Sequence, residues 1–319
     1  MLHATTLRSH VDIARRLRDL IADTRITTAP GCYDALSAAL IERAGFDCAY
    51  LSGASIAYTR FGRPDIGLVS MSEVAETVSA IRERITIPLV VDADTGFGNA
   101  INTYRTVQLF ERMGASAIQI EDQVMPKRCG HLRGKSLITA GEMAGKIDAA
   151  CSARVHQETM IIARTDAVAV EGFDEALDRA QLYAEAGADL VFIEALRTRE
   201  QMQLAIARVG SRVPLLVNMV EGGDTPMASA SELEQLGFAI VIFPGAMVRA
   251  LTFQAMQLLE ALHRDGDTRA FAGRMLDFPE LQALLGTEEI LEQGRRWERS
   301  SSDSFDAQQT TAAGSRYPR

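Results

Sequence analysis

AGFDCAYLSG at 44–53, MGASAIQIED at 113–122, AGADLVFIEA at 186–195 and LGFAIVIFPG at 236–245 share one design. Each ends a helical pattern at a glycine (Gly45, Gly114, Gly187, Gly237) and begins an apolar run within a few residues. A helix-terminating glycine takes the left-handed conformation that closes the last turn. Runs that are continuously apolar, rather than alternating, predict strands buried on both faces, as in a parallel sheet covered by helices. Working outward, runs of the same kind lie at 26–29, 88–91, 160–163 and 214–217; with 48–51, 117–120, 190–193 and 240–243 they make eight. Amphipathic stretches such as 102–113 and 174–186 fall between them. Eight strand–helix units fit a closed (β/α)8 TIM barrel better than an open doubly wound sheet. No Gly-x-Gly-x-x-Gly turn follows the first run to favour the open form.

The barrel with its N-terminal helix is expected over 1–250, a C-terminal helical extension interrupted at Pro279 over 251–298, and a disordered tail over 299–319. The tail is polar, small and poor in apolar residues. A net charge of −9 over 319 residues argues against nucleic acid as a partner, since phosphates call for clustered Lys and Arg. A small anionic substrate needs only a few local arginines and stays open. No apolar stretch approaches the ~20 residues that span a bilayer, and no signal-peptide core opens the chain. Cys32, Cys48, Cys129 and Cys151 contain no Cys-x-x-Cys pair. Reduced thiols in a cytoplasmic protein are expected.

Active sites of such barrels lie at the carboxyl ends of the strands. The residues that follow the runs are Ser52-Gly53, Asp92-Ala93-Asp94-Thr95-Gly96, Glu121-Asp122, Arg164-Thr165-Asp166, Glu194, Asn218 and Pro244-Gly245. If the strands are parallel, these converge on one rim. Facing carboxylates repel, and Asp92, Asp94 and Glu121 are hard oxygen ligands suited to Mg2+ or Mn2+. Zn2+ fits less well, because no histidine stands at a strand end. Any one of these acids alone reads equally well as a helix N-cap.

The segment from Lys127 to Lys135 sets Lys127, Arg128, His131, Arg133 and Lys135 around Cys129, with Gly130 and Gly134 beside them. A thiol among cations trades its proton near neutral pH. The glycines and the mutual repulsion of the cations predict a loop that opens without a dianion and closes over one. The bland alternative is a solvated basic loop with an incidental cysteine.

These motifs resemble the isocitrate lyase/phosphoenolpyruvate mutase superfamily over nearly the whole barrel. Asp92-Ala93-Asp94-Thr95-Gly96-Phe97-Gly98 is similar to its metal-binding signature, and Lys127-Arg128-Cys129-Gly130-His131 to the catalytic loop of its lyases. The resemblance implies Asp92 nearest the Mg2+, with Asp65, Asp94 and Glu121 holding its waters. It implies Tyr50, Ser52, Gly53 and Ala54 in the turn that holds the keto-acid half, Ala54 standing where a second glycine is usual. Arg164 matches a carboxylate clamp, which suits its bidentate fork; Glu194 and Asn218 match the same rim. A homotetramer, a dimer of helix-swapped dimers, is also implied.

A retro-aldol cleavage of a 2-hydroxy acid yields a 2-keto acid and a carboxylate enolate. The enolate needs positive charge and a proton donor. Mg2+ and Arg164 answer the first need and Cys129 the second, as general acid. Tyr50 is the candidate base, Lys127 belongs to the catalytic loop and His131 orients it. The segment 218–226, NMVEGGDTP, resembles the branch containing 2,3-dimethylmalate lyase and oxaloacetate hydrolase. The hydrolases are expected to carry a serine shortly after the eighth strand's proline; here that stretch is Pro244-Gly245-Ala246-Met247, which argues against efficient oxaloacetate hydrolysis. Oxaloacetate decarboxylases of the superfamily lack the loop cysteine, and phosphonate mutases usually replace it with a non-thiol polar residue. The expectation is therefore a C–C lyase of a substituted malate or methylisocitrate-like acid. A P–C mutase, a hydrolase or decarboxylase, and a non-catalytic barrel are the alternatives.

Overall fold

The computed structural model describes residues 9–130 and 132–298. The chain divides into two compact units, one ending at Thr252 and the other beginning at Phe253. The first is a closed barrel of parallel strands in sequence order, β1 (Thr27–Cys32), β2 (Ala49–Leu51), β3 (Leu89–Asp92), β4 (Ala117–Glu121), β5 (Met160–Thr165), β6 (Leu190–Ile193), β7 (Leu215–Asn218) and β8 (Ile240–Phe243). β8 pairs with β1 to close it, Thr27 opposite Ile240. The predicted runs match these strands to within a few residues.

The strands are apolar on both faces because each face meets a different core. Inside the barrel Ala29, Cys48, Val90, Ile162, Phe192 and Ile242 pack together, and Leu17 and Ile21 of the helix His10–Ala22 join that cluster. Outside, Leu51, Val91, Ile118, Ile161, Val191 and Val241 meet the surrounding helices. Arg18 of the first helix bonds Asp189 (2.9 Å) and the Glu158 carbonyl (3.1 Å), which anchors it. This helix starts at His10 behind an N-cap Ser9. Gly45, Gly114, Gly187 and Gly237 all have φ between 87° and 105°, as the helix-to-strand joints require.

Beyond β8, helix Ala246–Asp265 starts before the predicted boundary at 251. Pro279 does not interrupt a helix. It stands in the first turn of Phe278–Leu285, where its missing N–H costs nothing, behind a capping box of Asp277 and Glu280. That helix has no buried residue. The tail 299–319 lies outside the described residues. No described helix is long and apolar enough to cross a membrane.

β1 passes close to the turn after β8: a Cβ at Gly31 would lie 2.2 Å from the Pro244 carbonyl oxygen. Both sides of that clash are backbone, so Gly31→Ala should destabilise the barrel by about 1–3 kcal/mol or more. Urea unfolding followed by far-UV circular dichroism would measure it.

Candidate active site

Asp92 ends β3 at the barrel mouth. Its Oδ1 accepts from the Asp94 amide (3.1 Å) and Gln119 Nε2 (3.4 Å), and its Oδ2 from the Gly53 amide (3.3 Å). Gly53 opens the helix Gly53–Phe61 behind N-cap Ser52, so the positive end of that helix faces the carboxylate. A Cβ at Gly53 would stand 3.3 Å from both Asp92 Oδ2 and Asp94 Oδ1, so this turn leaves little room for a side chain. Asp94 turns back at φ 46°, a conformation rare outside glycine and costly to hold. Its Oδ1 lies 2.7 Å from Lys127 Nζ, which also meets Asp65 at 2.6 Å. Burial, with Asp92 and Asp65 near, lifts the Asp94 carboxyl to about 6 despite Lys127. Burial would discharge Lys127, but the carboxylates of Asp94, Glu121, Asp65 and Asp92 hold it charged.

Arg164, on β5, sits among acids. Its Nε lies 2.9 Å from Asp166 Oδ2 and 3.3 Å from Glu121, and its Nη2 is 3.3 Å from Glu194 Oε2. The guanidinium carbon stacks 5.1 Å from the centre of the Phe192 ring. Glu194 Oε1 accepts from the Ala195 amide (2.9 Å), an arrangement that Ala195 reaches at φ 62°. Asn218 Nδ2 donates to Glu194 Oε2 at 3.2 Å, which leaves Asn218 Oδ1 buried and unbonded. Glu121 Oε1 is also buried and unbonded. Burial and the neighbouring Asp166 raise the Glu121 carboxyl well above the usual range, against the pull of Arg164.

The described residues of the segment 127–135 lie closed over this rim. Gly130 packs so tightly that a Cβ there would be 2.5 Å from Arg164 Nη2 and 2.6 Å from Glu194 Oε2. Two of its cations are buried and neutralised in this arrangement: Lys127 by Asp65 and Asp94, Lys135 by Asp166. Arg128, Leu132 and Arg133 are exposed. The Cys129 amide donates to the Asp65 carbonyl (3.2 Å), and Gln123 bonds both backbone groups of Arg128. His131 lies outside the described residues.

Together these enclose a cavity of about 120 Å³. It is lined by Tyr50, Ser52, Ala54, Asp65 and Asp92 on one side and by Lys127, Cys129, Gly130, Arg164, Glu194 and Asn218 on the other. Gly53, Asp94 and Glu121 stand behind this lining and hold its members. Tyr50 is fully buried and donates to Gln119 Oε1 at 3.2 Å. Burial, then Asp92, push its phenol well above the usual range. The strand-end reading missed Tyr58, Ser55 and Arg249, which also line the cavity, because they sit on helices. It also missed the structural task of Asp122. That carboxylate accepts from Thr165 Oγ1 (2.7 Å), the Asp166 amide (2.9 Å) and Tyr183 (2.8 Å), fixing the end of β5.

A family model described as phosphoenolpyruvate phosphomutase matches residues 17–263. The chain belongs to the PEP mutase/isocitrate lyase superfamily. It is 43% identical to the 2,3-dimethylmalate lyase of Eubacterium barkeri, over 88% of this chain and 97% of that one. It is 46% identical to a 2-methylisocitrate lyase of Aeropyrum pernix, over 85% and 86% respectively. Among solved structures, oxaloacetate acetylhydrolase bound to 3,3-difluorooxalacetate superposes with a TM-score of 0.86, at 31% identity over 90% of this chain and 98% of that one. A phosphonopyruvate hydrolase in complex with oxalate and Mg2+ gives a TM-score of 0.81, at 32% identity over 89% and 98%. Both of these sequence relatives are lyases.

A divalent ion fits the chemistry of the acidic wall. Among the described residues no three His, Cys, Asp or Glu side chains converge closely enough to enclose an ion directly. Asp92 faces the cavity with Asp65 beside it, and Glu121 keeps an unbonded oxygen, a donor set suited to a cation that retains its waters.

Gly130→Ala should hold the loop off Arg164 and Glu194. We expect kcat to fall by about 10²-fold, as misplaced catalytic groups do, with oxalate affinity changed far less. Steady-state kinetics beside oxalate titration would separate the two.

Proposed function

We propose that the chain is a metal-dependent C–C lyase that cleaves a small 2-hydroxy di- or tricarboxylic acid, a substituted malate or methylisocitrate-like acid, and releases a 2-keto acid such as pyruvate. The observation that carries this reading is the thiol-bearing loop, closed over a cavity whose other walls are Asp92, Arg164 and the Ser52-Gly53-Ala54 turn. The two lyase relatives support it.

The chain's own residues divide the work. The helix end at Ser52-Gly53-Ala54 orients the keto-acid half, and Arg164 with Asn218 grips a carboxylate. As the bond breaks the 2-hydroxyl gives up its proton to the candidate base Tyr50, and Cys129 delivers its own proton to the carbon left electron-rich. Lys127 joins the loop to the acidic wall, and Gly130 lets the loop descend far enough to exclude water. Held at Asp92, with waters on Asp65, Asp94 and Glu121, Mg2+ (or Mn2+) would supply positive charge for the enolate. The oxalate and Mg2+ complex of the phosphonopyruvate hydrolase supports that choice. Arg249, bonded to the Glu221 carbonyl and carboxylate (both 2.9 Å), offers charge for a further carboxylate of the substrate.

A homotetramer built by exchange of C-terminal helices fits the second unit, where Met256, Phe278, Ile290, Leu291 and Trp297 are exposed. Cys32, Cys48, Cys129 and Cys151 form no disulfide, in keeping with a cytoplasmic enzyme.

A panel of hydroxy-diacids with Mg2+ should release pyruvate or another 2-keto acid, detected by a coupled dehydrogenase. EDTA should stop the release, and Cys129→Ser should lower kcat by about 10²-fold or more with oxalate binding largely kept. Turnover that persists in EDTA sinks the metal assignment, and equal losses of kcat and oxalate affinity make the thiol a binding residue. Light scattering at micromolar protein should give about four times the 34.7 kDa chain mass, and a monomer would refute the assembly.

A further inference from the structure

The closing loop has a second foot. Lys135 follows three exposed residues, yet its side chain is only 2% exposed. A buried ammonium costs several kcal/mol unless it is paired and bonded. Lys135 meets both conditions: its Nζ lies 2.7 Å from Asp166 Oδ1 and also donates to the carbonyl of Gly130, next to Cys129. Asp166 is the same carboxylate that takes Arg164 Nε (2.9 Å) and Nη2 (3.1 Å), and its own amide is fixed by Asp122. Although burial works against it, Arg164 and Lys135 hold the Asp166 carboxyl down to about 2. The tip of the loop and the substrate-facing guanidinium therefore share one anchor.

We propose that Lys135 is a positioning residue, a latch that ties the Gly130 carbonyl to Asp166 and so registers Cys129 against Arg164. This rests on the roles given above to Cys129 and Arg164, but the latch itself can be read without turnover. When Lys135 is released, the loop loses its inner foot while Lys127 still holds the outer one. Cys129 should then become more accessible, and protonation should slow more than binding weakens.

The test is peptide-resolved alkylation of the ligand-free protein with iodoacetamide, Cys151 serving as internal reference. In Lys135→Met, Cys129 should react at least about fivefold faster while Cys151 is unchanged. Loss of a cation alone would slow thiolate attack, so acceleration reports access. Lys135→Arg should return the rate to within about twofold of the parent, since a guanidinium can span the same acceptors. In turnover, Lys135→Met should lower kcat by about 10²-fold with KM moved by about threefold or less. Unchanged Cys129 alkylation in folded Lys135→Met, or equal acceleration at Cys151, overturns the latch. If Lys135→Met does not fold, Asp166→Asn replaces it, with the same expected gain at Cys129 and the same overturning result. Faster Cys129 alkylation in a protein that cleaves no hydroxy acid keeps the latch and removes the lyase reading.

Discussion

Buried carboxylates facing one another at the barrel mouth set the constraint that the rest of the rim answers. Asp65, Asp92, Asp94, Glu121, Asp166 and Glu194 are all buried there, against the cations of Lys127, Lys135 and Arg164. Each cation is shared: Lys127 between Asp65 and Asp94, Arg164 among Asp166, Glu121 and Glu194, and Lys135 between Asp166 and a loop carbonyl. Asp94, just past β3, and Glu121, at the end of β4, are pushed toward their protonated forms.

The backbone bends to make this arrangement possible. Asp94 and Ala195 hold positive φ at the ends of β3 and β6, and each does so where a carboxylate has to be turned back toward the cavity. Left-handed residues without glycine cost about 1–3 kcal/mol each and persist only where their surroundings fix them. Here the fixing contacts are the Asp94 amide on Asp92 and the Ala195 amide on Glu194. Stability is therefore spent where the chemistry is, while the two apolar layers around the strands supply it.

The strands were legible because burial on both faces writes a simple pattern, and the helix-ending glycines marked where each began. The rim was legible for the same reason, since polar residues directly after apolar runs stand out. The helix residues that reach the cavity, Ser55, Tyr58 and Arg249, have no such signal: within an amphipathic helix they look like any solvent-facing position. The state of the loop could not be read from its charges, because the acids that neutralise Lys127 and Lys135 lie far away in sequence. Pro279 shows the opposite error: a residue that usually breaks helices here begins one.

The Gly130 contact separates two kinds of selection. The loop meets Arg164 and Glu194 through bare backbone, and among its described residues only Lys127, Cys129 and Gly130 reach the cavity. It therefore carries little information about which acid is bound. On the lyase reading proposed above, that information falls to Val220, Pro244 and Arg249, which line the cavity on segments after β7 and β8. Reaction and recognition are thus written on different arcs of the same barrel. Such a layout is modular: a descendant could exchange its substrate by redrafting the late loops while inheriting the reactive half unaltered.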